Sequence, residues 1–577
     1  MRYTLFEQLK KVLEKDERLI ADGELLRNRI VELARKNDSV LLKHLLADKD
    51  VKAAFFTAAG EVTVFDSERF VRFVNNKEFL PDSYTAFKNK IGLAEGDEFI
   101  SEKKEVVLNW PYKDCVLEGG QTKEDAKRDE VFWNETLAPD QIHRLLEPKV
   151  FTEWKRIDAK GEHKLTELKT DENGDIKDNL IIKGNNLLAL HSLKKSFAGK
   201  VKLIYIDPPY NTGNDDFGYN DRFNHSAWLT FMRNRLEIAR ELLTSDGTIY
   251  VQLDYNEVHY GKILMDEVFG SDNFQREIIW DITVLSGFKT IANNWIRGHE
   301  SILFYSRNPS FKFNKRYQEH TKEYLDSFKK VDEKGRRYMV AHKRTRYLDE
   351  VESKGKPYGD VWGDLPSFQQ IPTAGERLDF SGQKTEALVA RIVAAATDPG
   401  DLILDFYAGS GTTGAVAHKM GRQWILCEQM DYVDEVTVPR LKKVLKGEQG
   451  GISKDVKWQG GGDFVYAELV PLNQIYVDKV KKAKTGKDLA KVWSEIQEKG
   501  FLSYKVDLKK FDASAPDSAK ATTGKKDFAS LSLTNQKRFI LESLDYNQLY
   551  VNYSEIEDKD YEVSKEDKKA NKEFYGK

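Results

Sequence analysis

The chain has 577 residues, of which 40% are hydrophobic and 32% are charged, and its formal net charge is −3. A chain of this length is too long for one ordinary core, so the composition predicts a folded protein of about two to four domains. The nearly balanced charge does not by itself indicate a nucleic-acid binder, and the presence of only two cysteines argues against a disulfide framework or a cysteine-rich zinc site.

Features of membrane insertion or export are not evident. There is no uninterrupted apolar run of membrane-spanning length, and the opening stretch MRYTLFEQLKKVLEKDERL lacks the pattern of a signal peptide. The two cysteines, Cys115 and Cys427, lie far apart in sequence and fit a reducing compartment. We therefore expect a cytoplasmic protein with no membrane partner.

The first 150 residues or so begin with helical periodicity, in LFEQLKKVLEKDERLI and again in LRNRIVELARKN. A more strand-like stretch, AAFFTAAGEVTVFDSERFVRFV, follows them. Residues 157 to 178 are polar and predict either a linker or a hairpin.

Strands and helices alternate from about residue 179 to about residue 270. LIIKG and KLIYI have the pattern of strands around the helical NNLLALHSLKKSFA, and the periodic SAWLTFMRNRLEIARELL precedes the strand-like TIYVQLD. The alternation resumes near residue 383 with KTEALVARIVAAAT, LILDFY, TGAVAHKMG and QWILCE. This order predicts a parallel sheet flanked by helices and split by an insertion of about 100 residues.

The insertion carries most of the uneven charge in the chain. From Arg307 to Lys356 there are 15 Lys and Arg against 8 Asp and Glu, a surplus of 7. The aromatic residues interleaved with them are Phe311, Phe313, Tyr317, Tyr324, Phe328, Tyr338 and Tyr347. Such a segment could neutralise phosphates and contact bases, or it could be a solvated surface whose aromatic rings face inward. The last 110 residues are charged and include the low-hydrophobicity stretch DASAPDSAKATTGKK, which predicts a linker or a mobile loop.

A glycine-rich loop follows a strand in LILDFYAGSGTTGAVAHKM, residues 402 to 420. Gly409 and Gly411 allow a ligand to approach the backbone closely, at the carboxyl end of a strand where open α/β sheets bind ligands. Glu428 falls 19 residues after Gly409, at the end of the next strand, from which a carboxylate can accept hydrogen bonds from both ribose hydroxyls. The loop alone could be a tight strand-to-helix turn, and GxGxxG is not present as such because Gly414 is offset. With Glu428 the pattern favours a nucleoside ligand, and the absence of GxxxxGK[ST] argues against a triphosphate site.

A second motif, LIYIDPPYNTG, ends another strand at Asp207. A planar base could stack on Tyr210 while its exocyclic amine meets the Asp207 carboxylate and the Pro208 carbonyl. Pro208 and Pro209 would hold these acceptors rigidly because proline fixes φ. Accepting both hydrogens of a poorly nucleophilic amine would stabilise the positive charge that develops as its nitrogen attacks a methyl group. DPP alone could be a proline turn that ends an edge strand.

Together these residues resemble the amino-methyltransferases that use S-adenosylmethionine. DPPY at 207 to 210 is similar to their catalytic tetrapeptide, in its N6-adenine form, and YAGSG at 407 to 411 is similar to their cofactor loop. The order of these parts along the chain resembles that of the β class of DNA methyltransferases, because the catalytic motif comes first, the insertion next and the cofactor loop last. The stretches NLIIKGNNLLALHSL, FLPDSYTAFKNKIGL, WPYKDCVLEGGQTKEDAKRDEVFWNETLAPDQI, ERLDFSGQKTEALVARI, WQGGGDFVYAEL and NQLYVNYSEI resemble, more narrowly, the modification subunits of type III restriction-modification systems.

The resemblance implies roles for individual residues. Asp207, Pro208, Pro209 and Tyr210 would hold a flipped adenine. The implied cofactor-binding residues are Tyr407, Ala408, Gly409, Ser410, Gly411, Thr412, Glu428, Asn185 and Lys384, with Glu428 on the ribose, Asn185 near the cofactor adenine and Lys384 supporting the methionine end. The sequence departs from the family pattern at Tyr407, where phenylalanine is usual, and at Thr385, where proline is usual.

The fold class that the resemblance implies is α/β. It is a Rossmann-like S-adenosylmethionine-dependent methyltransferase fold with an inserted target-recognition domain and additional N- and C-terminal domains. The expected divisions are an N-terminal domain (1–155), the methyltransferase core (156–275 and 376–465), the target-recognition insertion (276–375) and a C-terminal domain for dimer or partner docking (466–577). The implied activity is site-specific methylation of adenine N6 in duplex DNA by a bacterial, nucleoid-associated homodimer, without a metal. The chain would be either the modification and sequence-recognition subunit beside a helicase-nuclease restriction subunit or a solitary enzyme.

Other interpretations stay open at this stage. An enzyme that methylates RNA or a protein side-chain amide more often carries asparagine in place of Asp207, and a non-catalytic specificity module would not need an intact DPPY. His225 and Trp228 favour core packing and helix capping over catalysis, and Cys427 is expected to be inert. Asp254 could serve the cofactor or the structure.

Overall fold

The main structural feature is a mixed sheet of 11 strands that lies between two apolar layers. The computed structural model describes residues 5–21, 24–59, 62–74, 94–95, 98–99, 108–121, 132–134, 139–213, 220–284, 291, 293–341, 343–502 and 532–576. The chain divides into two compact units, residues 1–105 and 106–577. No helix in the described ranges is long and apolar enough to cross a membrane.

The first unit is mainly helical. Its helices are Leu5–Leu13, Arg27–Arg35, Ser39–Leu46, Lys49–Phe55 and Ser67–Val74. The stretch predicted to be strand-like, residues 53–74, is only partly so: it forms a hairpin of Phe56–Ala59 and Val62–Phe65, whereas its two ends belong to the last two helices. The packing of Phe55 edge-on against Phe70, with a centroid distance of 5.2 Å, explains why aromatic residues are frequent there. The stretch FLPDSYTAFKNKIGL lies outside the described residues.

The second unit contains the sheet. In chain order its strands are β1 (Phe151–Asp158), β2 (Glu162–Lys164), β3 (Leu180–Lys183), β4 (Val201–Ile206), β5 (Leu243–Leu253), β6 (Phe274–Asp281), β7 (His299–Ser306), β8 (Val361–Trp362), β9 (Leu402–Asp405), β10 (Gln423–Glu428) and β11 (Asp463–Leu469). The spatial order is β2-β1-β11-β3-β10-β9-β4-β5-β7-β6-β8. The six strands from β11 to β5 run parallel, as the alternation predicts, and antiparallel strands extend the sheet on both sides.

Helices cover both faces of the sheet. Those used below are α1 (Asn186–Phe197), α2 (His225–Leu242), α3 (Val258–Phe269), α4 (Glu386–Ala396), α5 (Thr412–Lys419), α6 (Val438–Leu445), α7 (Asn473–Lys482), α8 (Gly486–Lys499), α9 (Leu533–Ser543) and α10 (Lys565–Phe574). Every residue of β4 is buried. Ile204 and Ile206 pack in one apolar layer while Leu203 and Tyr205 pack in the other, which explains an uninterrupted apolar run in a strand covered on both sides.

The domain limits in the structure differ from the predicted ones in two places. The first unit ends at residue 105 rather than 155, because Trp110, Leu117 and Phe151 belong to the apolar layer of the second unit. β6 and β7 lie within the predicted insertion, yet they continue the main sheet beside β5. The polar segment 157 to 178 contains a hairpin, since β1 pairs with β2.

The part of the insertion outside the main sheet is small and built from short elements. Its strands and helices are Tyr317–Gln318, Lys322–Asp326, Lys330–Val331, Arg337–Ala341, Arg344–Tyr347, Leu348–Lys354 and Lys356–Pro357. Lys330–Val331, Arg337–Ala341 and Arg344–Tyr347 form a three-stranded antiparallel sheet. Phe328 is fully buried whereas Phe313 and Tyr317 are exposed, so only some of the aromatic rings face inward.

The C-terminal segment packs on the same core as the sheet. α10 contacts β1, where the Phe574 ring lies edge-on to Phe151 with a centroid distance of 5.1 Å. Trp493 of α8 is fully buried in that layer. The stretch DASAPDSAKATTGKK falls outside the described residues.

Candidate active site

The two motifs leave neighbouring parallel strands at one edge of the sheet. β4 pairs with β9, with Leu203 opposite Ile403, and the residues beyond both strands line one cavity of about 710 Å³ that is partly open to solvent. The predicted residues that line it are Asp207, Pro209, Lys384, Tyr407, Ala408, Gly409, Ser410, Thr412 and Glu428. Four other predicted residues do not line it: Pro208, Tyr210, Gly411 and Asn185.

Asp207 directly follows β4 and carries the charged group at the centre of the site. Its Oδ2 accepts a hydrogen bond from Lys384 Nζ, which also donates to the Gly382 carbonyl at 3.0 Å. Its Oδ1 is buried and makes no hydrogen bond within the described residues. Burial raises the pKa of Asp207 against the opposing effect of Lys384, and the Glu300 carboxylate raises it further. The site therefore holds one carboxylate oxygen paired with a cation and one available as an acceptor.

Tyr210 is held by a carboxylate that the sequence motifs do not include. Its hydroxyl donates to Glu300 Oε2 at 2.9 Å, and the same oxygen accepts from Gln252 Nε2 at 2.7 Å. Arg297 donates to the other Glu300 oxygen at 3.1 Å. Burial raises the pKa of Tyr210 well above its usual value, so the hydroxyl stays a donor. Glu300 escaped the sequence analysis because it lies in the segment assigned to the insertion.

The backbone of the tetrapeptide is braced from outside. The buried Trp228 of α2 donates from its indole N–H to the Pro209 carbonyl at 2.8 Å. Asn211 adopts a left-handed φ of 59°, and its N–H donates to Asp221 Oδ1 at 2.8 Å. Trp228 thus combines the expected core packing with a contact that fixes the motif. His225, at the start of α2, pairs with Glu257 at 2.8 Å.

The glycine-rich loop turns tightly between β9 and α5. Gly409 and Gly411 have φ values of 51° and 78°, which favour glycine. A Cβ on Gly411 would lie 2.9 Å from Thr437 Cγ2, while Thr437 Oγ1 donates to the Gly409 carbonyl at 2.6 Å. Gly411 therefore makes the turn possible although it does not line the cavity.

Glu428, at the end of β10, accepts hydrogen bonds from backbone N–H groups, including one of the glycine-rich loop. Its Oε2 accepts from the Gly409 N–H at 3.0 Å, and its Oε1 accepts from the N–H groups of Gln429 and Met430 at 2.9 and 3.1 Å. Burial raises the pKa of this carboxyl, while the backbone donors oppose that shift. Since each carboxylate oxygen can accept more than one hydrogen bond, Glu428 can still accept from ligand hydroxyls in the cavity.

The structure gives Asn185 and Asp254 structural contacts. Asn185 caps α1, its Oδ1 accepting from the N–H groups of Leu187 and Leu188 at 3.0 and 3.3 Å. Its Nδ2 donates to the Glu118 carbonyl at 2.7 Å, so the side chain is engaged away from the cavity. Asp254, at the end of β5, accepts from the Asn256 N–H at 2.8 Å and does not line the cavity.

The two departures from the family pattern are accommodated. Thr385 precedes α4, which begins at Glu386 without proline and without a side-chain cap. The Tyr407 ring lines the cavity, and its hydroxyl contacts Met232 Sδ at 3.3 Å. Burial raises the pKa of the Cys427 thiol, which is consistent with an unreactive cysteine.

Several lining residues lie outside the motifs. Phe380 and Tyr432 contact each other edge-on, with a centroid distance of 5.0 Å, and both line the cavity. Gln121 also lines it and comes from the segment before the sheet. Asp405 also lines the cavity, and the sequence could have identified it as a site residue. It is a carboxylate at the end of β9, much as Asp207 directly follows the end of β4.

Asp405 makes a pH-dependent contribution to stability that can be measured. It accepts from Thr413 Oγ1 at 2.6 Å and from the Tyr407 N–H at 2.9 Å, and burial raises its pKa to about 7. Between pH of about 4 and 7 the folded protein holds a proton that the unfolded chain has lost, so rising pH lowers the free energy of unfolding. Asp405→Asn cannot titrate, and we expect its urea midpoint to fall less than that of the parent between these pH values. Midpoints that change in parallel would contradict this assignment.

A second cavity of about 900 Å³ adjoins the first. It shares the segment 380–384 and adds Glu300, Trp280 and Arg377. Lys384 and its neighbours therefore form a wall common to both cavities, next to Asp207.

The chemistry of the site is that of amine activation. No group of three or more His, Cys, Asp or Glu is placed to hold a metal ion in the part of the chain that the structure describes. A buried, unpaired carboxylate oxygen beside an aromatic ring can accept a hydrogen from an amine and stabilise positive charge on its nitrogen.

The chain is similar to known DNA methyltransferases. A family model described as DNA methylase matches residues 201–438, and one described as type III restriction/modification enzyme methylation subunit matches residues 38–93. The probable type III restriction-modification enzyme HindVI Mod subunit of Haemophilus influenzae is 34% identical across 100% of this chain and 99% of its own length. The EcoP15I Mod subunit of Escherichia coli is 28% identical over 41% of this chain and 55% of its own. Among solved structures, the M1.HpyAVI–SAM complex aligns with a TM-score of 0.31 and 17% identity, covering 45% of this chain and 98% of that chain.

Proposed function

This chain belongs to the modification subunits of type III restriction-modification systems, which are DNA methyltransferases, and we propose that it methylates N6 of adenine in duplex DNA. The cofactor is S-adenosylmethionine, which supplies an electrophilic methyl group. We further propose that the target is adenine in duplex DNA, and we propose the residues that contact each ligand.

The observation that carries the proposal is the unpaired Oδ1 of Asp207. A buried acceptor without a partner costs stability unless a ligand satisfies it, and functional sites are where such groups persist. An exocyclic amine placed there would donate one hydrogen to Oδ1 and the other to the Pro208 carbonyl. When the nitrogen attacks the methyl carbon, the carbon–sulfur bond of S-adenosylmethionine would break and S-adenosylhomocysteine would leave, while Asp207 would stabilise the positive charge on the amine until it loses one hydrogen as a proton.

The rest of the site supports the same reaction. Tyr210, fixed by Glu300, offers a ring on which a flipped base can stack. Lys384 already bonds Asp207 Oδ2 and opposes the rise in pKa that burial causes, so Oδ1 is the oxygen left to accept from the amine. We assign Glu428 to the cofactor ribose, and Tyr407 together with the loop at Gly409 to the rest of the nucleoside.

The proposed function is tested by methyl transfer from labelled S-adenosylmethionine. We expect label from the purified chain to appear as N6-methyladenine in unmethylated genomic DNA and not in RNA or protein. Label in N4-methylcytosine, in RNA or in a protein amide would reassign the substrate. Tight cofactor binding without transfer to any of these would indicate a specificity module.

We assign DNA contact to the basic hairpin of the insertion. Lys343 and Arg344 are exposed where Arg337–Ala341 turns into Arg344–Tyr347. Replacing both with alanine should weaken DNA binding and reduce the slope of log K against log salt by about 2, because each phosphate contact contributes about one unit. Binding measured over a salt series checks this.

The matched control replaces Lys164 and Lys569, which are 71% and 66% exposed and lie near α10. These substitutions remove the same charge from another surface and should leave the slope within error. Equal slopes for both double variants would contradict the assignment of the hairpin. Cofactor binding should be unchanged in both.

Membership in the family also supports partners for this chain. We propose a homodimer in which one subunit reads the site and the other catalyses, and a restriction subunit with helicase and nuclease activities that docks through the C-terminal region. We also propose a cytoplasmic, nucleoid-associated location, because the proposed substrate is DNA.

A further inference from the structure

Two large apolar side chains lie exposed in the connection between β6 and β7. Trp295 is 97% exposed and Ile291 is 82% exposed. A lone exposed apolar residue is common on protein surfaces and needs no explanation. Tryptophan is usually well buried, however, and this one projects almost entirely into solvent from a segment tied to the candidate active site.

The tie runs through Arg297, two residues after Trp295. Its guanidinium lies 3.3 Å from Asp254 Oδ2 and 3.1 Å from Glu300 Oε1. The other Glu300 oxygen accepts from the Tyr210 hydroxyl at 2.9 Å. The backbone next to Trp295 is therefore anchored to the ring that we assign to the target base.

A second exposed ring lies beside the same arginine. Tyr255, directly after Asp254, is 63% exposed, and the Arg297 guanidinium lies 5.8 Å from its ring centroid. Tyr255 thus lies beside Arg297 after the end of β5, and Trp295 precedes Arg297 by two residues in the chain before β7. Exposed aromatic rings next to a cation are suited to stacking on nucleobases.

We propose that Trp295 inserts into the duplex at the position vacated by the target adenine, where its ring stacks in the gap opposite the unpaired base. Tyr255 would contact the adjacent nucleotide. This inference rests on the proposed function. Extruding a base loses its stacking and pairing, and an apolar wedge that fills the gap offsets part of that cost. Trp295 would then lower the cost of flipping without touching the reacting atoms.

The test compares Trp295→Ala with the parent on two duplexes that carry the chain's own site, as mapped from methylated adenines in genomic DNA. One duplex has thymine opposite the target adenine, and the other has an abasic site there, so no base pair has to be broken. We expect kcat/KM of Trp295→Ala to fall about tenfold or more on the paired duplex and less than about threefold on the abasic one. Trp295→Phe should recover much of the loss, since it keeps a ring.

Val64→Ala serves as the matched control, because Val64 is a 51% exposed apolar residue of the hairpin in the first unit. It should leave both rates unchanged. An unchanged rate for Trp295→Ala, or an equal loss on both duplexes, would overturn the proposal. A parent that transfers no methyl group to any DNA would instead overturn the proposed function, and this inference with it. Because Trp295 buries almost no surface, an altered melting temperature is not expected.

Discussion

Asp207→Asn is expected to reduce methyl transfer about a thousandfold while cofactor binding changes by no more than a few fold. Asparagine keeps the shape of the side chain but loses the negative charge that stabilises the developing positive charge on the amine. It also presents an NH₂ group that can occupy the position of the acceptor. The measurement is single-turnover transfer of labelled methyl to DNA, beside calorimetric binding of S-adenosylmethionine.

Glu428→Ala provides the complementary variant. It removes the acceptor at the end of β10, and with it the carboxylate that bonds the Gly409 N–H at 3.0 Å. We expect this change to weaken cofactor binding and to lower transfer only as far as the cofactor site is left empty, so that a high cofactor concentration restores part of the rate. If Asp207→Asn kept full activity, the catalytic assignment would be wrong. If it lost cofactor binding as Glu428→Ala does, the two roles would not be separable.

Glu386→Ala is expected to lower the free energy of unfolding by about 3–5 kcal/mol, because it removes the buried carboxylate that two buried cations share. Lys419 Nζ lies 3.0 and 2.8 Å from the two Glu386 oxygens, and both side chains are fully buried. Arg440 lies 3.2 Å from Glu386 Oε1. Removing the central carboxylate costs more than the pair contributes, because Lys419 then keeps only the partly exposed Glu448 and Arg440 keeps only Glu376, at 3.7 Å.

The same substitution should also loosen the cofactor loop. Arg440 donates to Thr412 Oγ1 at 2.7 Å and to Ser410 Oγ at 3.2 Å, so the buried cluster is linked to two cavity residues. Urea unfolding followed by tryptophan fluorescence and binding of S-adenosylmethionine measure the two effects.

The control for Glu386→Ala is Glu495→Ala, which breaks the exposed pair of Glu495 with Lys479. Water screens such a pair, so we expect a change below about 1 kcal/mol. Similar losses for both variants would show that burial of the Glu386 cluster does not matter. An intact affinity for the cofactor in Glu386→Ala would separate the cluster from the loop.

Local patterns in the sequence were sufficient for the elements of the sheet. The apolar run of β4, the alternation of strands and helices and the position of Glu428 at the end of β10 were all predicted, and the structure has these elements. These elements could be predicted because a strand buried on both faces has an uninterrupted apolar run, and because the periodicity and capping of a helix depend on residues close together in sequence. The family likewise follows from stretches that extend over nearly the whole chain.

Only the tertiary structure shows which strands belong to the sheet beyond its parallel core. β6 and β7 precede the basic segment and lie almost wholly in the stretch predicted to be the insertion, and their place beside β5 depends on antiparallel pairing between distant parts of the chain. The role of Asn185 also depends on tertiary packing. The sequence predicts a contact with the cofactor, whereas in the structure the side chain caps α1.

The sequence by itself determined the family, the parallel core and the two motifs, because each is encoded in a short stretch with its own periodicity or residue types. The tertiary structure alone decided which groups surround the reacting position. Lys384 meets Asp207 from 177 residues away, and Glu300 meets Tyr210 from 90 residues away. Such contacts depend on how strands and helices pack, and no local pattern encodes the distance between two side chains that only the folded sheet brings together.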